Sequence, residues 1–265
     1  FLPKFQTQFG SGSSVDPSTG IGVFDPFENQ QYGDAYDGQI REIGRPLEDG
    51  TLQEESYTYK PDGRLNFFKT GVTLQNDISY AAKNFYLSIQ DVNVKGTLEG
   101  DKNRRTTFRF NGGNEYGRFR TSYNISYTKQ AYNVASVSPY WEVFNTAGHI
   151  DLSKYQDWRN PASAASPSHY FNEYYQNPYF VKDRTRSTGS NDDIAAQLET
   201  GLKITDWLNA TARVGTILRN NDYTNTGEAF TFSNYAKNVS HKYNASSDIK
   251  ASVAEGFTKF SRITT

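Results

Sequence analysis

An all-β fold, built from antiparallel strands of a transmembrane β-barrel with long extracellular loops, is predicted by three observations. Residues 118–128, RFRTSYNISYT, place Phe119, Thr121, Tyr123, Ile125 and Tyr127 on one parity and Arg118, Arg120 and Asn124 on the other. Side chains alternate across a strand, so this segment has one apolar, aromatic face and one polar face. Similar segments recur in pairs around short turns, and longer polar stretches separate the pairs. Aromatic residues make up 15% of the chain, with no Cys, while no apolar run approaches the roughly 20 residues of a transmembrane helix.

The first hairpin is read at 71–94. Val72, Leu74, Ile78 and Tyr80 share a face, a connection follows at Ala81–Lys83, and Phe85, Leu87 and Ile89 share a face on the return. In the second, Thr106, Phe108 and Phe110 alternate, the GGN at 112–114 and Gly117 are expected to end the strand, and 118–128 returns. In the third, Ile194, Ala196, Leu198, Thr200, Leu202 and Ile204 lead to a turn at Thr205–Trp207, and Leu208, Ala210, Ala212 and Val214 return. The expected division is a loop region over 1–69, hairpins over 70–128, a long extracellular loop over 129–190, a hairpin over 191–219, an extracellular loop over 220–257 and the start of another strand over 258–265. Short turns on one side and long loops on the other match an outer-membrane barrel. On this reading Arg118, Arg120 and Asn124 face the lumen, because a charge on the lipid face costs roughly 2–4 kcal/mol near the midplane. The competing reading is a secreted, soluble β-sandwich that binds glycans, with the apolar parity packed on a second sheet.

The chemistry-bearing residues suggest no enzyme. His149, His169 and His241 are scattered without metal-ligand spacing. The acidic pairs Asp192/Asp193 and Glu54/Glu55 have no calcium-loop spacing and read as solvated loop charge. No nucleophile elbow and no phosphate-binding loop occurs, and sequons at Asn124, Asn209, Asn238 and Asn244 carry no argument. A net charge of -1 argues against a nucleic-acid partner. No cofactor and no metal is expected. The candidates for substrate contact are the loop aromatics Tyr140, Trp141, Tyr170, Phe171, Tyr174, Tyr175 and Tyr179, which could stack on sugar rings or peptide side chains. The alternative for each is packing of the loop against itself, or membership of an interfacial aromatic girdle.

Several motifs in order resemble one family. KTGVTLQNDISYAAKNFYLSIQDVNVKGTL (69–98), with Phe67 ahead of it and Thr70, Gly71, Asn76, Ser79, Phe85, Tyr86 and Ser88 as the matching positions, is similar to a barrel hairpin of SusC/RagA TonB-dependent outer-membrane transporters. RRTTFRFNGG (104–113) resembles the strand that follows, YFNEYYQNPYFVKDRTR (170–186) an "NPY" loop, and LKITDWLNATARVG (202–215) an "ITDWL" turn and strand. QYGDAYDGQ (31–39) departs from the family pattern, carrying Tyr32 where Trp is usual. The resemblance implies an internal segment of a 22-stranded barrel, with the plug and TonB box lying outside these residues. It implies import of oligosaccharides or oligopeptides across the bacterial outer membrane. Its implied partners are a SusD-like surface lipoprotein, TonB acting through a part of the chain not seen here, and outer-membrane lipid.

Overall fold

A computed structural model describes residues 3–228 and 233–253. The chain forms a seven-stranded antiparallel sheet with a separately packed body, here the crown, at one end of it. Two small ribbons come first: β1 (Ser14–Val15) pairs with β2 (Gly22–Val23), and β3 (Ile40–Glu42) with β4 (Glu54–Ser56). The sheet then runs as β5 (Val72–Ala81), β6 (Phe85–Lys95), β7 (Lys102–Tyr116), β8 (Phe119–Ala135), β9 (Arg186–Lys203), β10 (Leu208–Glu228) and β11 (Ser233–Val253). Every strand pairs with its neighbours in sequence, leaving β5 and β11 as the edges. The sheet is all-β and antiparallel as expected, and it is open: no barrel closes among the described residues.

Several strand limits differ from the expectation. The segment read as a loop over 129–190 is strand at both ends, because β8 continues to Ala135 and β9 begins at Arg186. The segment read as a loop over 220–257 holds the end of β10, to Glu228, and all of β11, Ser233–Val253; its residues 229–232 and 254–257 lie outside the described residues. The link expected over Lys95–Arg104 shrinks to 96–101. Loop length therefore does not alternate regularly among the described residues, where the insertion at 136–185 and the N-terminal region are long and the other described links are short. The strand expected at 258–265 lies outside the described residues.

The glycines at 112–113 do not end a strand, because β7 runs through them to Tyr116. Gly112 pairs with Tyr123, and a Cβ built there would lie 2.5 Å from the tyrosine hydroxyl and 2.7 Å from the Asn84 carbonyl. The missing side chain lets the Tyr123 ring lie across the strand, an aromatic covering a glycine. The turn is confined to Gly117 and Arg118. Arg118, expected on the lumen face, sits in that turn and donates to the Ile204 carbonyl at 3.1 Å.

The crown contains the main core. It joins Ile43 and Phe67 from the N-terminal region to Val143, Ile150, Leu152, Tyr155, Phe171 and Phe180 of the insertion, with Leu98 reaching in from the β6–β7 link. Helix α1 (Ser138–Phe144) carries Pro139 in its first turn. Helix α2 (Pro178–Arg184) starts on Asn177, whose side chain accepts from the Tyr179 N–H, with Pro178 in the next position. Crown and sheet are tied at Asp101, which accepts from the Ala135 N–H at 2.8 Å and from Arg186 at 2.9 Å.

Candidate functional site

Cross-strand partners share a face, so the register sorts the sheet into two chemistries. One row across all seven strands is Ile78, Ile89, Phe108, Tyr127, Ile194, Leu218 and Tyr243. Toward the short turns the same face continues with Leu87, Phe110 and Ile125, then Tyr123, Leu198 and Val214, then Phe119 and Leu202. One row beyond Tyr127, toward the crown, the face becomes polar on every strand: Asn76, Asp91, Thr106, Lys129, Asp192, Asn220 and His241. The apolar belt is thus nine residues tall on β8 (Phe119–Tyr127), the length expected of a tilted membrane-spanning strand. It is also open to its surroundings, with Ile78 77% and Leu198 44% exposed.

The opposite face is mostly polar over the same span, with Tyr86, Ala195 and Ile217 as apolar exceptions. Asn111, Asn124, Gln197, Gly215 and Ser246 form one row. With Arg109 and Asn244 they line a groove of about 550 Å³. The next row is a charge ladder: Glu199 accepts from the Arg213 Nε at 3.0 Å and lies 3.5 Å from Arg120, and Arg213 also approaches Asp248 at 4.0 Å. Arg120 and Asn124 both lie on this polar face, as the parity predicts.

The acidic pairs separate. Asp192 and Asp193 are consecutive in a strand and point to opposite faces: Asp192 accepts from the Tyr127 hydroxyl at 2.6 Å, while Asp193 lies 3.6 Å from Arg219. Glu55 is not solvated loop charge but a buried tie, bonded to Lys60 and, at 2.7 Å, to Lys154 of the insertion. Among the described residues no group of His, Asp and Glu could hold a metal.

The seven loop aromatics divide by burial. Tyr170, Phe171 and Tyr179 are buried in the crown core, which removes them as substrate contacts. Phe171 packs on Tyr170 and Tyr155, and Tyr179 packs edge-on to Phe67 at 4.8 Å. Tyr140 is stacked on Phe68 and its hydroxyl lies 3.1 Å from Thr97 Oγ1. Tyr175 is half-buried. Trp141 and Tyr174 stay open, 59% and 68% exposed. Trp141 is edge-on to Phe144, which in turn meets Phe5 at 5.6 Å. Phe5, Phe144, Tyr32, Asn29, Gln30 and Asn145 surround a depression of about 380 Å³ on the crown. The sequence reading missed this group because four of its six residues lie in the first 32, where no periodicity marks a structured element. The available signal was the i, i+3 spacing of Trp141 and Phe144, which places both along one edge of a helix.

Two titratable groups of the crown are shielded from water, Glu142 half-buried and His149 buried. The Glu142 carboxylate accepts the Gln176 N–H at 2.7 Å, and burial pushes its pKa from 4.5 up to about 7. His149 is buried beside Tyr57 and Phe24, and burial, reinforced by the charge of Lys60, pushes it from 6.5 down to about 4. The raised carboxyl lets stability fall as pH rises from about 4.5 to 7. The lowered imidazole lets stability fall as pH drops from about 6.5 to 4. The slopes oppose, so the crown is expected to be nearly pH-insensitive between about 4.5 and 6.5. Glu142→Gln exposes the histidine slope, and its melting temperature is expected to climb with pH across that window. Parallel pH profiles for variant and wild type would remove Glu142 from this balance.

No helix among the described residues is long and apolar enough to cross a membrane. No protein-family model and no curated protein sequence matches the chain.

Proposed function

We propose that the chain forms part of the wall of a TonB-dependent outer-membrane barrel of the SusC/RagA type, of 22 strands in the complete protein, that imports oligosaccharides or oligopeptides. The observation that carries this reading is the belt: nine residues tall, exposed, and backed by a polar face on the same strands. Aromatics stand at both of its margins, Tyr80, Phe85, Tyr116, Phe119 and Trp207 toward the short turns and Tyr127 and Tyr243 toward the crown. That is the placement of interfacial girdles in outer-membrane barrels. The free edges β5 and β11 would pair with further strands, since an open edge is not tolerated in lipid. The amide row and charge ladder would line the lumen. The crown would sit at the extracellular mouth beneath a SusD-like lipoprotein, with Phe144 and Tyr32 offering rings and Asn29, Gln30 and Asn145 offering amides to substrate, and Trp141 standing edge-on beside Phe144. A soluble sandwich would bury the belt under a second sheet, and no such sheet covers it among the described residues.

The test is spin-label accessibility along 119–128, one introduced Cys at a time, in a bilayer; the 265 residues contain no native Cys. Oxygen contact is expected to peak at 119, 121, 123, 125 and 127, and contact with a polar nickel reagent at the even positions. Odd positions shielded from both reagents would place them in a protein core and replace this reading with the glycan-binding sandwich.

A further inference from the structure

We propose that Lys95 and Lys102, with Arg104 beside them, form a docking site for the phosphate of an anionic lipid headgroup on the crown-side rim of the belt. The proposal rests on the membrane reading of the belt. Counting by twos along the β6–β7 ladder from Ile89–Phe108, the same face carries Asp91–Thr106, Asn93–Arg104 and then Lys95–Lys102. Two ammonium groups therefore stand directly opposite each other, an arrangement that destabilises a sheet unless something neutralises it.

Among the described residues nothing supplies such neutralisation. Asp91 is taken up by Arg104 at 2.9 Å and Thr106 at 2.7 Å. Asp101 is bound by Arg186 at 2.9 Å, and Glu99 by Lys182 at 3.3 Å. The next partners outward in the same row are uncharged, Val72 beyond Lys95 and Asn133 beyond Lys102. Neither lysine has an ion pair among the described residues, and both are exposed.

The position points to lipid as the source of the missing charge. On the edge strand β5 the same face is polar at Asn76 and turns apolar again at Leu74 and at Val72, which is directly opposite Lys95. Apolar surface therefore stands at the level of the lysines at this corner, one polar residue beyond the belt. A phosphate held between the two ammonium groups would leave its acyl chains lying along Val72, Leu74 and Ile78. The aliphatic stems of both lysines let the charges adjust to the depth of the phosphate.

The experiment measures association of spin-labelled phosphatidylglycerol and phosphatidylcholine with the protein in vesicles. The wild type is expected to prefer phosphatidylglycerol. Lys95→Gln with Lys102→Gln is expected to weaken that preference by about fivefold for each charge removed. Lys95→Arg with Lys102→Arg should keep it, as should the charge-matched control Lys242→Gln with Lys250→Gln on the polar face. Equal loss in the control, or no loss in the Gln pair, overturns the site. Displacement of the lipid by excess inorganic phosphate would mark a free-anion site and overturn the lipid assignment. Immobilised boundary lipid without headgroup preference sinks this inference alone, whereas the absence of any boundary lipid sinks the membrane reading with it.

Discussion

Replacing Leu198 by arginine is expected to destabilise the protein in a bilayer by about 2–4 kcal/mol, the cost of a cation near the midplane of a barrel's lipid face. Leu198 lies in the middle row of the belt, between Tyr123 and Val214. The adjacent substitution Gln197→Arg places the same charge on the polar face and is expected to change stability by less than about 0.5 kcal/mol. Denaturant unfolding of the two variants in phospholipid vesicles reads the difference directly. The comparison is sharp because the positions are neighbours in one strand, with the same backbone pairing and nearly the same depth. If both substitutions cost less than about 0.5 kcal/mol, the apolar face meets water and the belt is not in lipid.

Phe171→Ala is expected to destabilise the crown by about 3–5 kcal/mol, the usual range for removing a buried aromatic. Phe171 is 2% exposed, its ring lies 4.7 Å from that of Tyr170 and 5.6 Å from that of Tyr155, and Gly44 presses against its backbone. Gly44 has φ +63°, and a Cβ there would come within 2.5 Å of the Phe171 Cα. The two segments can approach this closely only where the first carries no side chain. By contrast Tyr174→Ala removes an exposed ring and is expected to leave stability within about 0.5 kcal/mol. Thermal unfolding and amide exchange across 136–185 check both. A Phe171→Ala protein of unchanged stability but weakened substrate binding would return this ring to the ligand.

The hairpins were legible wherever one face is apolar and the other wet. Tyr123, Ile125 and Leu198 alternate with Asn124 and Gln197, so register and sidedness follow from the pattern. Beyond the belt the strict alternation is lost on β8, β9 and β10 while the backbone ladder continues. This is why 129–135, 186–190 and 220–228 read as loop: NDYTNTGE has no apolar parity, yet its amides are paired along the full length of β10. Gly112 misled for a related reason, since a glycine in sequence signals a turn and here it makes room for Tyr123. In the crown, composition revealed many aromatics but not which were buried. Burial there depends on segments such as 43–67, far away along the chain and without periodicity of their own. The arginines divided likewise: Arg120 followed its parity onto the polar face, and Arg118, one residue outside the strand, did not.

The neighbour-only order of the sheet and the composite core of the crown impose different schedules on folding. Each sheet strand can zip onto the one made just before it, closing a short loop everywhere except across the insertion between β8 and β9, so assembly can advance strand by strand. The crown cannot: Phe67 meets Tyr179, and Arg64 meets the Thr146 carbonyl 82 positions away. The first 69 residues must therefore wait, partly unburied, until the insertion before β9 has emerged. That interval exposes Ile43 and Phe67 to wrong partners, so retarded or truncated synthesis between β8 and β9 should leave a protein whose sheet is paired and whose mouth is unfinished.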